Sequence, residues 1–255
     1  MKFNGKTVFV TGAASGIGYA CCKRFICDGA NVVMCDVNAS ALTEKADILS
    51  KNEVGSVLTA AADVRNYGEI KAAFAKTADI FGAPDVLICC AGGTAKRILG
   101  DNSPTFWETP VSVYDWGIDV NLKGPFYCAH AAMPYMTEKR KGVIITLGSV
   151  TGEDGDGIGV DYATSKSALM YGFTKSIAKA GAPYGIRACC VSPGPVLTRS
   201  AMANMPTLMH RAANPEEIVN AIYFLASDDA SFITGVNLLA DGGHVITDNK
   251  TWGAV

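Results

Sequence analysis

Thr7-Val8-Phe9-Val10-Thr11-Gly12-Ala13-Ala14-Ser15-Gly16-Ile17-Gly18 is the stretch that decides how this chain folds. Thr7–Thr11 is apolar or β-branched without polar alternation, which suits a strand buried on both faces. Glycines then break the strand, and Ile17–Asp28 follows at once as an amphipathic helix. In that setting Gly12 permits a tight turn and Gly16 lets backbone approach a pyrophosphate. Gly18 lets helix and strand pack closely, and the phosphates rest on the positive end of the helix, beside Ser15 and Ile17. Glycine also simply permits sharp turns. The position of this turn, in the first strand-helix unit, favours the dinucleotide-binding reading.

Outward from this unit, short apolar runs alternate with amphipathic stretches to the end of the chain. Thr7–Thr11, Ala30–Asp36, Gly55–Ala61, Asp85–Ala91, Gly142–Ser149, Ile186–Ser192 and Asn237–Ala240 read as strands, rich in Val, Ile, Leu and Cys. Ile17–Asp28, Ala39–Lys51, Tyr67–Phe81, Trp116–Lys139, Tyr162–Ala180 and Pro215–Ala226 read as helices. Strand-helix repetition of this kind predicts an α/β fold, a doubly wound seven-stranded parallel sheet of Rossmann type with helices on both faces. No repeat, low-complexity tract or linker divides the 255 residues, so one domain is expected, with 244–255 as a C-terminal tail carrying Trp252.

Composition narrows the function classes. Charged residues make up 18% and hydrophobic residues 49%, as in a well-buried globular protein. The net charge of −2 provides no electrostatic case for nucleic acid or an anionic membrane. No segment has the roughly 18 apolar residues of a membrane span. Nine cysteines include three adjacent pairs, Cys21-Cys22, Cys89-Cys90 and Cys189-Cys190, with no Cys-x-x-Cys and no neighbouring His. That placement argues against disulfides and against metal, and for reduced thiols in a cytoplasmic protein.

Further positions carry chemistry. Asp36 ends the second strand, where a carboxylate accepts from the adenosine ribose hydroxyls and repels a 2′-phosphate, favouring NAD over NADP; it could also cap the helix beginning near Ala39. Asp63-Val64 follows the third strand, where such a pair could bracket an adenine; read alone, it is a polar residue closing a strand. Cys90-Ala91-Gly92 follows the fourth and allows close backbone approach to a cofactor. Asn121 lies in the apolar helix Trp116–Lys139, a setting in which Asn is usually a satisfied interruption. Ser192-Pro193-Gly194-Pro195-Val196-Leu197-Thr198 forms a rigid turn after the sixth strand, at the sheet edge where ligands bind. Tyr162 and Lys166 point from one face of a helix, so the ammonium favours the phenolate. Four other Tyr-x-x-x-Lys pairs exist, at Tyr19, Tyr67, Tyr135 and Tyr171. Only Tyr162/Lys166 follows a strand-end serine, Ser149, thirteen residues upstream.

From Gly5 to about Gly243 the chain resembles the short-chain dehydrogenase/reductase family, in its soluble single-domain branch. The resemblance rests on Thr11–Gly18, Asp36, Asp63-Val64, Ala91-Gly92, Asn121, Ser149, Tyr162-Ala163-Thr164-Ser165-Lys166 and Pro193-Gly194, all in the expected order. It implies that Tyr162 is the general acid for reduction and the base for alcohol oxidation. It implies that Lys166 holds the nicotinamide ribose, that Ser149 hydrogen-bonds the substrate oxygen, and that Asn121 fixes a relay water. Val196 and Thr198 would dock the carboxamide. The cofactor, NAD, supplies the hydride chemistry.

Three departures from the family pattern stand out. Cys89-Cys90-Ala91-Gly92 replaces the usual Asn-Asn-Ala-Gly, the segment after Thr198 is short and Met-rich, and the tail runs on past Gly243. Specificity is expected to lie in Gly93–Asp115, Thr151–Val160 and Leu197–Asn214. Phe106, Trp107 and Tyr114 there suggest a bulky apolar or cyclic secondary alcohol, such as a hydroxysteroid or polyphenol derivative. A 3-oxoacyl thioester reductase and a sugar or polyol dehydrogenase are the alternatives. A non-catalytic NAD-binding sensor or scaffold has no need of Asn121, Ser149, Tyr162 and Lys166 together, nor has a methyltransferase on a similar sheet. Small residues on the two long helices (Ala129, Ala131, Ala132, Ala163, Ala168, Gly172) point to close packing between subunits. The family resemblance implies a homotetramer.

Overall fold

β1 (Thr7–Thr11) lies inside a sheet of seven strands, all parallel, ordered β3 (Ser56–Ala61), β2 (Asn31–Asp36), β1, β4 (Val86–Cys89), β5 (Gly142–Leu147), β6 (Ile186–Pro193) and β7 (Asn237–Ala240). The computed structural model describes residues 1–51, 54–100, 104–198 and 200–247. Trp252 and the expectation attached to it lie outside the described residues. In chain order the elements are β1, α1 (Gly16–Ile26), β2 (Asn31–Asp36), α2 (Ala39–Ser50), β3 (Ser56–Ala61), α3 (Tyr67–Phe81), β4 (Val86–Cys89), α4 (Lys96–Leu99), α5 (Val111–Ile118) and α6 (Gly124–Lys139). They continue with β5 (Gly142–Leu147), α7 (Thr151–Asp154), α8 (Val160–Ala168), α9 (Thr174–Gly181), β6 (Ile186–Pro193), α10 (Pro215–Ala226) and β7 (Asn237–Ala240). Among the described residues no helix is long and apolar enough to cross a membrane.

Successive residues of each central strand feed opposite layers, as the pleat requires. Val8 and Val10 join Phe25, Leu42 and Ile222 beneath α1, α2 and α10. Phe9 joins Phe74, Ala129 and Met136 beneath α3 and α6, where it stacks on Phe74 at 4.1 Å. Both layers are apolar, so the inner strands read as continuous hydrophobic runs. The expectation of burial on both faces fails at β3 and β7, which are partly exposed because each closes one edge of the sheet.

Two expected helices are not continuous. Trp116–Lys139 is α5 and α6 joined by a π-helical turn at Asp119–Lys123, with α5 beginning earlier, at Val111. Tyr162–Ala180 is α8 and α9 joined by a second π-helical turn at Leu169–Phe173. Sequence periodicity has no signal for one extra residue in a turn, but polar side chains have moved into both. Asn121 Nδ2 donates to Gly117 O, and Thr174 Oγ1 donates to Leu169 O at 2.6 Å. π-turns of this kind recur at functional sites.

The order of winding reverses between β1 and β4, which opens a crevice at the C-terminal ends of these strands. The turn after β1 and the segment after β4 touch there. A Cβ on Gly12 (φ 65°) would lie 2.8 Å from Ala91 N.

Candidate active site

The glycine turn is built by contact. A Cβ on Gly18 would lie 2.1 Å from Gly12 O, so only glycine lets α1 start against the turn. Ser15, the N-cap of α1, makes no side-chain cap, and the first turn holds no acidic residue. Ser15 and Gly16 are exposed. Among the described residues no side chain therefore caps the positive end of α1, which faces the crevice. Asp36 stands beside it: Oδ2 accepts from Ala14 N at 3.0 Å and Oδ1 from Asn38 N at 2.9 Å. The cap of α2 is Asn38, which accepts from Ala41 N, so Asp36 braces the turn instead of capping that helix.

Across the crevice, Asn121 is buried and fully engaged. Nδ2 donates to Gly93 O at 2.8 Å and to Gly117 O at 2.9 Å, and Oδ1 accepts from Gly93 N at 3.0 Å. A Cβ on Gly92 would meet Asn121 Oδ1 at 2.8 Å and Lys166 Nζ at 3.7 Å, so both polar groups converge on one point beside this backbone. Lys166 is buried, donates to Leu147 O at 2.7 Å and lies 5.3 Å from the Tyr162 ring centroid. Leu147 ends β5 two residues before Ser149, whose Oγ accepts from Thr151 N at 3.2 Å. The Ser149 loop is fastened to β6 through Val150 N donating to Pro193 O at 3.0 Å. Asn121, Lys166, Tyr162 and the loop of Ser149 thus meet at one end of β4, β5 and β6.

Other expected residues hold different positions. Asp63 is engaged by the Arg65 guanidinium, which holds its carboxyl below the usual carboxylate range. Val64 is buried against Gly124. Ala91 N donates to Thr11 Oγ1 at 3.1 Å, a clasp that the sequence pattern had not singled out. Gly194 passes so close to Asp241 that a Cβ would lie 2.7 Å from its Cα. Val196 is buried and bridges to Ala213, whereas Thr198 is exposed with its methyl over Gly16, 3.4 Å from a Cβ built there.

The paired cysteines divide between the layers. Cys90 meets Cys21 of α1, and Cys89 meets Cys128 of α6. These hydrogen bonds, with burial, hold the thiols of Cys21 and Cys128 well above their ordinary range, and burial pushes Cys35 up to about 12. The thiols of Cys89 and Cys90 stand where the family's usual motif has two Asn, and they pack as small hydrophobes. All nine are free.

A family profile described as enoyl-(acyl carrier protein) reductase matches residues 12–245. A 3-oxoacyl-(acyl-carrier-protein) reductase of Thermotoga maritima is 34% identical over 260 residues, covering 96% of this chain and all of that protein. The chain belongs to the short-chain dehydrogenase/reductase family. A 2-dehydro-3-deoxy-L-rhamnonate dehydrogenase (NAD+) of Sphingomonas is 33% identical, over 95% of this chain and 96% of its own. The crystal structure of a 3-oxoacyl-(acyl-carrier-protein) reductase of Brucella melitensis with bound NAD superposes with a TM-score of 0.88 at 31% identity, over 96% of this chain and 93% of that one.

Short-chain dehydrogenases/reductases are oxidoreductases that bind a nicotinamide cofactor. The crevice fits one: a glycine turn with no room for a Cβ, an uncapped helix N-terminus and a carboxylate at the end of β2 stand in a row. Sequence reasoning missed Gly93, which Asn121 grips at both N and O, and Asp161. The Asp161 carboxylate is buried one residue before Tyr162, and its Oδ2 has no hydrogen-bond partner among the described residues. It also missed His244, which joins Pro206 O at 2.6 Å and faces Asp154 at 3.5 Å. Each of these depends on contact between segments distant in the chain.

Proposed function

We propose that the chain is an NAD(H)-dependent oxidoreductase that interconverts a secondary alcohol and a ketone. The observation that carries this reading is the convergence of Lys166 Nζ and Asn121 Oδ1 beside Gly92, with Tyr162 one helical turn before Lys166. The bound cofactor supplies or accepts the hydride. Tyr162 Oη gives a proton to the forming alkoxide in reduction and takes it back in oxidation. Ser149 Oγ donates a hydrogen bond to the same oxygen and orients it. Lys166, which donates to Leu147 O, would hold the cofactor ribose, and Asn121 keeps the Gly92-Gly93 backbone in place for it. Asp36 supports NAD, since a 2′-phosphate would meet a carboxylate whose chain neighbours, Cys35 and Val37, are not cationic.

For the substrate, the relatives favour a 3-oxoacyl or sugar-derived compound over a bulky cyclic alcohol. Phe106 and Trp107, the expected aromatic walls, are exposed. A non-catalytic sensor would bind cofactor without turnover, so the deciding experiment is a screen of ketones and alcohols read as absorbance of reduced nicotinamide. NADH should exceed NADPH in kcat/KM, and Tyr162→Phe should lower turnover by at least about 10² while NAD binding survives. Tyr171, which lies exposed in the π-turn after α8 and donates to Glu153 of α7, is the control, and Tyr171→Phe should be nearly silent. Equal losses in both variants, or equal use of NADH and NADPH, would overturn the assignment.

A further inference from the structure

We infer that Arg97 binds a carboxylate on the substrate, so that the reacting compound is a small hydroxy or oxo acid. This rests on the reading of Tyr162, Lys166 and Ser149 given above. Arg97 lies on the short helix α4, just past the end of β4, and its side chain folds back over Gly93. A Cβ on Gly93 would lie 3.0 Å from Arg97 Cδ, 3.1 Å from its Nε and 3.0 Å from the edge of the Trp116 ring. Gly93 itself is fixed, since Asn121 holds its N–H and its carbonyl. Lys166 Nζ stands 3.7 Å from the corresponding point on Gly92, so Arg97 and Lys166 flank neighbouring residues of one loop.

What distinguishes Arg97 is its unused charge. At the same C-terminal edge of the sheet Arg211 is bound by both oxygens of Glu217, His244 lies between Pro206 O and Asp154, and Asp241 accepts from Gly243 N and Val245 N. Among the described residues the Arg97 guanidinium makes no hydrogen bond and no ion pair. A guanidinium presents a planar fork of donors that matches a carboxylate in two parallel bonds. Placed beside the backbone that flanks Lys166, such a fork would hold an acid by its carboxylate while the carbonyl faces Tyr162 and Ser149.

The test compares acids with their neutral counterparts: acetoacetate and 4-oxopentanoate against their methyl esters, with NADH. The unmodified protein should favour the acids by roughly 10- to 100-fold in kcat/KM, the range of a charge-assisted hydrogen bond. Arg97→Gln should raise KM for the acids at least about 10-fold more than for the esters, and Arg97→Lys should restore part of the difference. Equal use of acid and ester by the unmodified protein, or equal losses on both in Arg97→Gln, would overturn the inference and leave ketone reduction standing. Preference for acetoacetyl-coenzyme A that depends on Arg97 would assign the guanidinium to a phosphate and overturn the carboxylate. If none of these ketones is reduced, saturation-transfer NMR on the NADH-loaded protein still decides. Acetoacetate bound in preference to its ester, and lost in Arg97→Gln, upholds the site, and binding without preference removes it.

Discussion

Asp161 precedes Tyr162 in the first turn of α8, with its carboxylate buried and Oδ2 without a hydrogen-bond partner among the described residues. Burial pushes its carboxyl above the ordinary value. The contact behind this is Gly117 of α5, where a Cβ would lie 1.8 Å from Asp161 Oδ2, so the two helices cross at a point only glycine allows. A raised carboxyl pKa means that the folded state holds the proton more tightly than the unfolded chain. Its contribution to stability is fully present below the unfolded carboxyl pKa of about 4 and is lost as pH rises through the folded value. Asp161→Asn removes that titration. Thermal melts across pH 3 to 8 (about the span in which carboxyls titrate) should show the variant gaining on the unmodified protein as pH rises, with the gain vanishing in acid. A constant difference at every pH would show that Asp161 carries no displaced titration.

At the scale of elements, each long helix beside the site is broken by a π-turn, and the break that carries Asn121 places its side chain into the β4 loop. Asn121 satisfies three backbone groups, Gly93 N–H, Gly93 O and Gly117 O. Asn121→Ala leaves all three without that partner, at a cost of about 2–4 kcal/mol at roughly one net hydrogen bond each. The denaturant midpoint should fall accordingly, exchange of the Gly93 amide should accelerate, and NADH affinity should weaken because Gly92-Gly93 is no longer held. Unchanged exchange at Gly93 with lost activity would assign Asn121 to chemistry alone, as in the relay that the family resemblance implies. The amide's hydrogen-bonding groups are already used by backbone, which is why a positioning effect is expected here.

For the whole molecule, the expected assembly is a homotetramer, and the structure redistributes the residues that would build it. Ala129, Ala131 and Ala132 are buried against their own sheet, so they are not available to a second subunit. The half-buried Ala163 and Ala168 and the exposed Gly172 line an open groove between α7 and α8 and the π-turn that follows, while Phe126, Phe232, Leu238 and Leu239 are exposed on α6 and around β7. Light scattering at micromolar concentration should give about four times the 26.7 kDa chain mass. An active monomer would show that these faces stand free. Most of the fold was readable in advance: β1, α3, α10 and β7 have the bounds their periodicity predicts, and Gly12, Gly16 and Gly18 announce the crevice. Those features are local, set by a period of two or 3.6 residues and by backbone angles open only to glycine. Chain order alone sets Tyr162/Lys166 apart from the four other Tyr-x-x-x-Lys pairs. The sequence could not show that α5 crosses α8 at Gly117, that Asn121 bends its helix to grip Gly93, that Cys90 meets Cys21, or that Arg97 folds over Gly93. Each of these depends on which distant segments come into contact, and only tertiary packing, through close approach and the pairing of buried polar groups, decides that.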